Sequence, residues 1–585
     1  MMKKSILRIA LTLPLAALPL SIAHANKIDS HQSTIALTRM GTYSTGLFDQ
    51  VASEITAYDK ISGNFFVTNS ATNQLNVMKL NGLNQPQLVS SINLAAYGGG
   101  PNSVAVKNGI VAVGVQANTV TDPGSVVFFN GATLAHINTL TVGSLPDMLT
   151  FTSDGNKLLV ANEGEPNTTY TIDPQGSVSI IDMTPGVAAL TNANVSTASF
   201  TGLVPADIDS STRIYGPGAS IAQDLEPEYI AITPDNSKAY VTLQENNAIA
   251  IIDIATATVL DIVGLGFKNH NVISNALDVS DKDGAGGTAK TNITTWPILG
   301  MYQPDSINSY VGSDGQTYFV TSNEGDARDY TGFTEVARVK TLTLDAAAYL
   351  TGATLKQDAN LGRLNVTNKT GDAGSDGDFD QLYSFGARSF SIWDVNGKQV
   401  FDSGDQLERL VLAMNPAHAN SSHTSNNSFD TRSDDKGVEP EASTVATING
   451  KTYAFIGLER DSGIAIFNIS NPQAPRFVQY LSNRNFSQTA AAGTGGDLGP
   501  EGILFVAAAD SPNGAPMIVV SNEVSGTTTF YRVHEYLFDS DNDEMPNSWE
   551  KTNGTNPAVA DANSDPDTDT LSNYSEFAAG TLANQ

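Results

Sequence analysis

The chain contains no cysteine among its 585 residues, so the sequence predicts neither disulfide bonds nor thiolate metal ligands nor a lipid-modified cysteine. Basic residues are scarce as well: 31 Lys and Arg stand against 61 Asp and Glu, and the formal net charge is −30. A surface of this charge repels nucleic acid and anionic lipid and attracts cations. We therefore expect no nucleic-acid partner.

Long hydrophobic runs are missing except near the N-terminus. There Lys3, Lys4 and Arg8 precede an apolar run that ends in Ala-His-Ala at 23–25. This is the pattern of a Sec signal peptide with its cleavage site, and the run is short for a membrane span. The sequence predicts a signal peptide over residues 1–25 and an exported protein, periplasmic or secreted, without a transmembrane anchor.

Helical periodicity is nearly absent, and a repeated module of short strands takes its place. The clearest copy, EPEYIAITPDNSKAYVTLQENNAIAIIDIATATV, starts at Glu226. Each module has a head with an acidic residue, usually next to proline, and then three strands rich in Val, Ile, Phe and Tyr, separated by turns such as PDNS. Heads and third strands each recur seven times. Such a repeat is typical of a β-propeller, whose blades stack radially around a channel.

We therefore predict an all-β fold, a seven-bladed β-propeller over residues 26–535. Eight blades remain the alternative, because an insertion could hide one. The segment IALTRMGTYST (35–45) would supply the outer strand of the last blade and close the ring. The longer modules indicate insertions at 184–224, 256–302 and 331–382.

The heads and the ends of the second strands carry two sets of carboxylates. Adjacent antiparallel strands reverse direction, so both sets should meet at one mouth of the channel. Carboxylates this dense destabilise one another unless a cation neutralises them, which favours a hard cation, calcium before magnesium. The alternative is that these acids are turn caps and blade-building consensus. The two sets are Glu54, Asp147, Glu228, Asp305, Glu441 and Glu501, and Glu163, Glu245, Glu324, Glu459 and Glu523.

The stretch VTSNEGDARDY (320–330) adds positive charge to this acidic rim, as do the segments that follow it. A metal ion with arginine is the usual apparatus for holding a phosphoryl oxygen. One hypothesis is therefore a metal-dependent hydrolase of a small phosphorylated substrate. Its proposed catalytic residues are Glu324, Arg328, Arg388 and Arg432, and its proposed mouth ligands are Glu228, Asp305, Asp326, Glu441 and Glu501.

The competing hypothesis is a non-catalytic surface or matrix protein that binds an extracellular glycan or protein. In that case each arginine pairs with a neighbouring acid to hold a loop, and calcium only stiffens the fold. Under either hypothesis we expect a monomer.

Two segments near the C-terminus have calcium-loop spacing: DSDNDEMPNSWE (539–550) and DPDTDTLSNYSE (565–576). Oxygen ligands recur at loop positions one, three, five and twelve, although Glu544 and Thr570 replace the usual glycine at position six. We predict an EF-hand-like or thrombospondin-3-like tail over residues 536–585 that binds Ca²⁺ structurally. Its ligands would be Asp539, Asp541, Asp543, Glu550, Asp565, Asp567, Asp569, Asn573 and Glu576.

Many phrases across roughly residues 30–535 resemble one known family. They include NEGEPN, WPILGMYQPDSI, NEGDARDYTGF, YSFGARSFSIWD, RSDDKGVEPE, YAFIGLERDSGIAIFNI and DLGPEGILF. In this order they resemble the choice-of-anchor I family of exported bacterial proteins. The resemblance implies a β-propeller, with relatives labelled alkaline phosphatase-like or mesenchyme-specific cell-surface glycoprotein-like. It implies no agreed catalytic residues.

Overall fold

The computed structural model describes residues 26–28, 35–535, 540–541, 543, 545, 547–566 and 572–573. The predicted signal peptide, residues 1–25, lies outside the described residues. Within the described residues, no helix has the length and apolar character needed to cross a bilayer.

Seven antiparallel sheets of four strands, one of them with a fifth, dominate the described residues. We name them blade 1 to blade 7. Their strands, from first to fourth, are Thr56–Asp59, Asn64–Asn69, Gln74–Leu80, Pro86–Asn93 (blade 1); Gly100–Lys107, Ile110–Gln116, Pro123–Asn130, His136–Ser144 (blade 2); Pro146–Phe151, Lys157–Asn162, Ser177–Asp182, Val195–Ser199 (blade 3); Pro227–Ile232, Lys238–Leu243, Ala248–Asp253, Thr258–Gly264 (blade 4); Ile307–Val311, Thr317–Asn323, Ser389–Asp394, Gln399–Asp402 (blade 5); Pro440–Ile448, Lys451–Leu458, Gly463–Asn468, Arg476–Ser482 (blade 6); and Pro500–Val506, Met517–Asn522, Thr527–Glu535, Ile35–Ser44 (blade 7).

The blades form a closed ring. The first strand of each blade contacts the first strand of the next, and the first strand of blade 7 contacts that of blade 1. The first strands therefore surround the central channel. The predicted fold class, an all-β propeller, is confirmed.

The central strands read as continuous apolar runs because both of their faces are covered. In blade 1, every residue of Asn64–Asn69 is buried. Its Phe66 packs in one cluster with Val113 and Val127 of blade 2, so the core lies between neighbouring blades. Each blade is therefore stable only against its neighbours.

The N-terminal strand closes the ring, as predicted. Ile35–Ser44 pairs antiparallel with Thr527–Glu535, which places Ile35 opposite Glu535. Asn26–Ile28 adds a fifth, outer strand to blade 6 by pairing with Arg476–Ser482. Both pairings cover strand edges that would otherwise be open to other chains.

Two predicted insertions begin too early. Val195–Ser199 and Thr258–Gly264 fall inside the predicted insertions at 184–224 and 256–302, but they are the fourth strands of blades 3 and 4. Fourth strands lie at the rim and are more exposed, so their alternation of apolar and polar residues is weak. The true insertions start after these strands.

The remaining inserted segments pack together as a separate sheet. Its strands are Phe267–Asn269, Leu299–Met301, Tyr383–Ser384, Asn365–Thr367 and Val336–Arg338, and one of its pairings is parallel. A cluster that includes Leu277, Trp296 and Leu364 forms its core. This mixed sheet is unlike a blade, so the 331–382 insertion adds no antiparallel four-stranded meander to the ring.

Helices are short in the described residues. The α-helices are Ile221–Asp224, Gly352–Leu355, Gln406–Met414 and Asn547–Asn553, and a small hairpin joins Asp329–Tyr330 to Phe333–Thr334. The 3-10 turns are Ser70–Thr72, Val187–Ala189, Asn192–Asn194, Pro205–Asp207, Ile273–Asn275, Val339–Thr341, Leu361–Arg363 and Ala490–Ala492.

Candidate functional site

The two predicted sets of carboxylates meet at one end of the ring, which we call the channel mouth. Strand register brings them together: Pro440, before the head acid Glu441, lies opposite Leu458, before Glu459. Blades 4 and 7 repeat this pairing at Pro227 and Pro500. The channel mouth is therefore built from the starts of first strands and the ends of second strands.

Burial and mutual repulsion raise the pKa of these carboxyl groups. The pKa of Glu228 lies well above its usual range because the group is buried and faces Glu245 and Glu163. Burial and Glu459 raise that of Glu441 in the same way. The site therefore stores unfavourable electrostatic energy that a bound cation would relieve.

These shifts predict that the cation-free protein loses stability as the pH rises. Burial, with Glu165, raises the pKa of Asp147 to about 7, and burial, with Asp326, raises that of Glu245 to about 8. The unfolded chain ionises both groups near pH ~4, so between about pH 4 and 8 the folded state binds more protons. In EDTA, calorimetry should show Tm falling by at least about 3 °C from about pH 5 to about pH 8. Asp147→Asn should weaken the trend, and a rising Tm would contradict it.

Three of the carboxylates come close enough to share one ion. Glu324, Glu441 and Glu459 each place one oxygen so that the three atoms lie within 4.8 Å of one another. The Oε2 atoms of Glu441 and Glu459 are buried and have no hydrogen-bond partner among the described residues. A cation with oxygen ligands, such as Ca²⁺, fits this group.

A second group shares one member with the first. His423, Glu459 and Glu523 also place one ligand atom each within 4.8 Å of one another. His423 lies in the loop between the helix Gln406–Met414 and blade 6. Its Nδ1 is 2.7 Å from Oε1 of Glu459.

The positive charge at the channel mouth comes from Lys436 and Arg460. Lys436 Nζ lies 2.5 Å from Oε1 of Glu324, and Arg460 Nη1 lies 3.0 Å from Oε1 of Glu459. Both also contact Glu439, which Arg432 Nη2 reaches at 2.5 Å. Burial alone would raise the pKa of Glu439, but these three cations hold it well below its usual range.

Arg328 forms its ion pairs with carboxylates that belong to neither of the two mouth sets. Its guanidinium forms ion pairs with Asp224 and with Glu226 Oε2, the latter at 2.8 Å, and its side chain is fully buried. It also lies over the ring of Tyr215, 4.6 Å from the ring centre. These contacts join the segment before blade 4 to the stretch after the second strand of blade 5. These ion pairs occupy the guanidinium group that one sequence hypothesis assigned to a phosphoryl oxygen.

Arg388 and Arg432 are engaged in a similar way. Arg388 donates to the carbonyl oxygens of Asp278, Ser433 and Asp435 at 2.6, 2.7 and 2.8 Å. Arg432 pairs with Glu439 and, at 2.8 Å, with Asp435. Both arginines hold loops in place, which is the alternative that the sequence left open.

The other predicted mouth ligands lie outside the group of three. Burial and Glu324 raise the pKa of Asp305 well above its usual range, and burial and Glu523 do so for Glu501. The Asp326 side chain is 51% exposed and lies 3.7 Å from Lys436 Nζ. Together with Glu228, they belong to the channel mouth but not to the group of three.

The predicted C-terminal calcium loops are described in part. Asp541, Asp543 and Glu550 bring one oxygen each within 4.8 Å of one another, as the first loop requires. Of the second loop, Asp565 is exposed and Asn573 is buried, with its Nδ2 donating to the carbonyl oxygen of Asp561 at 3.0 Å. The remaining predicted ligands lie outside the described residues: Asp539, Asp567, Asp569 and Glu576.

The sequence reading missed Glu439 and Arg460 as members of the site. Glu439 precedes the recognised head Pro440-Glu441, and Arg460 directly follows the acid Glu459. After the second strand of blade 6 the sequence has Glu-Arg, where other modules have Asn-Glu. This difference between modules is visible in the sequence and could have identified Arg460.

Two known proteins match parts of this chain. Gigasin-3a of Magallana gigas is 28% identical over 190 residues, which cover 31% of this chain and 66% of that protein. The mesenchyme-specific cell surface glycoprotein of Strongylocentrotus purpuratus is 26% identical over 284 residues, or 43% of this chain and 36% of that protein. The chain therefore spans less than two thirds of the length of either relative.

One solved structure and one family model also match this chain. The WD40 domain of Toxoplasma gondii coronin is 9% identical with a TM-score of 0.42, covering 88% of this chain and 90% of that one. The model of the choice-of-anchor I domain matches residues 54–472, most of the ring. This chain belongs to the choice-of-anchor I family.

Proposed function

We propose that this protein is an extracellular or cell-surface propeller that binds a calcium ion at its channel mouth and acts by binding a partner. The observation that carries the proposal is the group Glu324, Glu441 and Glu459, whose oxygens converge within 4.8 Å. Glu459 is only 4% exposed, and its Oε2 lacks a hydrogen-bond partner among the described residues. Such an oxygen is costly to bury unless a cation satisfies it.

Calcium suits this group better than other cations. All three ligands are carboxylates, and extracellular modules bind Ca²⁺ through oxygen with dissociation constants of about 0.1–1 mM. Lys436 and Arg460 already neutralise part of the charge, which keeps the affinity modest. Calcium at this position would tie blade 5 to the adjacent blade 6.

Binding is favoured over catalysis because the predicted catalytic arginines are engaged. Arg328, Arg388 and Arg432 all hold neighbouring segments together. The relative from Strongylocentrotus purpuratus is named a cell surface glycoprotein, which supports an extracellular partner for this chain as well. We infer that partner to be a protein or glycan.

A metal-dependent phosphoesterase is the second candidate. One observation favours it: Lys436 stands beside the proposed calcium position, 2.5 Å from Glu324, and remains 12% exposed. A metal ion and an ammonium group on the same side of a site can together hold a phosphoryl group. Hydrolysis of p-nitrophenyl phosphate that requires calcium and disappears in Lys436→Met would support this candidate over pure binding.

The calcium proposal is tested by calorimetry on the chelated protein and on three single variants. We expect about 5 mM Ca²⁺ to stabilise the wild type by about 2 kcal/mol through the channel mouth alone, from mass action with a dissociation constant of ~0.1 mM. Glu441→Gln should remove the contribution of the channel mouth, and Glu550→Gln only that of the C-terminal loop. Glu228→Gln is the matched control, because it also removes a buried head carboxylate but lies outside the group of three. Equal calcium responses in Glu441→Gln and Glu228→Gln would overturn the proposal.

A further inference from the structure

We propose that the channel mouth holds a second cation position, built from His423, Glu459 and Glu523 and selective for a transition-metal ion such as Mn²⁺ or Zn²⁺. Glu459 would bridge this position to the calcium position of the proposed function, on which the bridging part of the inference rests. The two groups of three share Glu459, and no other residue belongs to both.

The geometry of Glu459 suits a bridging role. Its Oε1 faces His423 Nδ1 at 2.7 Å, whereas its Oε2 is buried without a hydrogen-bond partner among the described residues. A carboxylate can bridge two neighbouring ions because each of its two oxygens can bind one of them. His423 itself is 7% exposed, so an ion there would be largely shielded from water.

The ligand types separate the two positions chemically. Glu324 and Glu441 complete an all-oxygen group, which suits a hard ion such as Ca²⁺. His423 brings an imidazole nitrogen to the other group. Imidazole suits Zn²⁺, and carboxylates suit Mn²⁺, so this mixed group accepts either transition metal, whereas Ca²⁺ prefers oxygen ligands alone. The two positions should therefore take different ions from the same solution.

The loop that carries His423 is held rigidly in place. Arg484 donates to Asn426 Oδ1 at 2.9 Å and to the carbonyl oxygen of Ser422 at 2.6 Å. Asn426 in turn donates to the carbonyl oxygen of Asn485 at 2.9 Å. A histidine fixed on both sides by such contacts is already oriented, as metal ligands require.

The guanidinium group of Arg460 lies against two of the proposed ligands, His423 and Glu459. Its Nη1 lies 2.6 Å from His423 Nε2 and 3.0 Å from Glu459 Oε1. An incoming cation must displace this guanidinium group, which can stay paired with Glu439 through Nη2 at 2.7 Å. The guanidinium group of Arg460 thus competes with the metal ion for these ligands and lowers the apparent affinity of the site for the metal.

The test measures Mn²⁺ binding to the full chain by calorimetry and electron paramagnetic resonance, with calcium in excess. We expect a Mn²⁺ position that calcium does not empty. His423→Gln should weaken it at least about tenfold, since losing even a partner of a metal ligand typically costs that much. His418→Gln is the matched control, because His418 lies in the same loop but stacks on Phe486 at 4.1 Å.

Further variants and competition experiments are decisive. Glu441→Gln should abolish calcium binding at the channel mouth and leave Mn²⁺ bound, whereas Glu459→Gln should weaken both. Equal Mn²⁺ affinity in His423→Gln and His418→Gln, with both variants folded by circular dichroism, would overturn the second position. Full displacement of Mn²⁺ by calcium would also overturn it. Mn²⁺ binding that depends on His423 in a protein without mouth calcium would refute the proposed function and the bridge, but keep the second position.

Discussion

Replacing Arg328 with methionine should destabilise the protein by about 3–5 kcal/mol, because a buried ion pair that loses one partner leaves uncompensated charge behind. The guanidinium is fully buried and forms ion pairs with Asp224 and Glu226, which are themselves 0% and 1% exposed. Methionine fills much of the same volume, so the loss is mainly electrostatic. Urea unfolding at neutral pH, followed by circular dichroism, measures the change.

Arg409→Met is the control for this prediction. Arg409 pairs with Asp405 at 2.6 Å, but its side chain is 50% exposed, so its removal should cost less than about 1 kcal/mol. Adding Asp224→Asn and Glu226→Gln to Arg328→Met should restore part of the lost stability, because the buried charges are then gone. A cost for Arg328→Met as small as that for Arg409→Met would show that this network does not support the fold.

The double substitution Ile35→Ala, Leu37→Ala should destabilise the ring by at least about 4 kcal/mol, since each buried truncation typically costs about 2–5 kcal/mol. Both side chains are nearly inaccessible, at 1% and 4% exposure. They pack in one cluster with Ile518 and Val533 of blade 7, so their loss loosens the strand that closes the ring. Chemical denaturation measures the effect.

Thr38→Ala is the control in the same strand, because Thr38 is exposed and pairs only through its backbone. It should change the unfolding free energy by less than about 0.5 kcal/mol. If the double variant behaved like Thr38→Ala, the strand would not be holding blade 7 closed.

The ring could be predicted from the sequence because the strand patterns that define it are local and repeated. Central strands such as Ile110–Gln116 (IVAVGVQ) are buried on both faces and appear as nearly unbroken apolar runs. Fourth strands such as Thr258–Gly264 are half exposed, and without a clear period they were assigned to insertions. The mixed sheet of the insertions was not predicted, since its pairing depends on contacts between distant segments.

The site was predictable only in outline. The repeated heads placed Glu441 and Glu459 at one end of the ring, because strand direction alone decides that. Which charge pairs with which depends on side chains far apart in sequence, as with Arg328 and Asp224, separated by 104 residues. No local pattern reports such a partner. The ion pairs of Arg328 and the position of Arg460 at the channel mouth were therefore not predicted from the sequence.

The strand that closes the ring also determines when the protein can finish folding. Thr42 Oγ1 lies 2.8 Å from Thr529 Oγ1, although 487 residues separate them in the chain. Contacts of such long range form late, because the entropy of closing the loop must be overcome first. Until Thr527–Glu535 has emerged, Ile35–Ser44 has a free edge that invites aggregation. A chaperone that shields this edge during that interval would improve the yield of folded protein without altering its final stability.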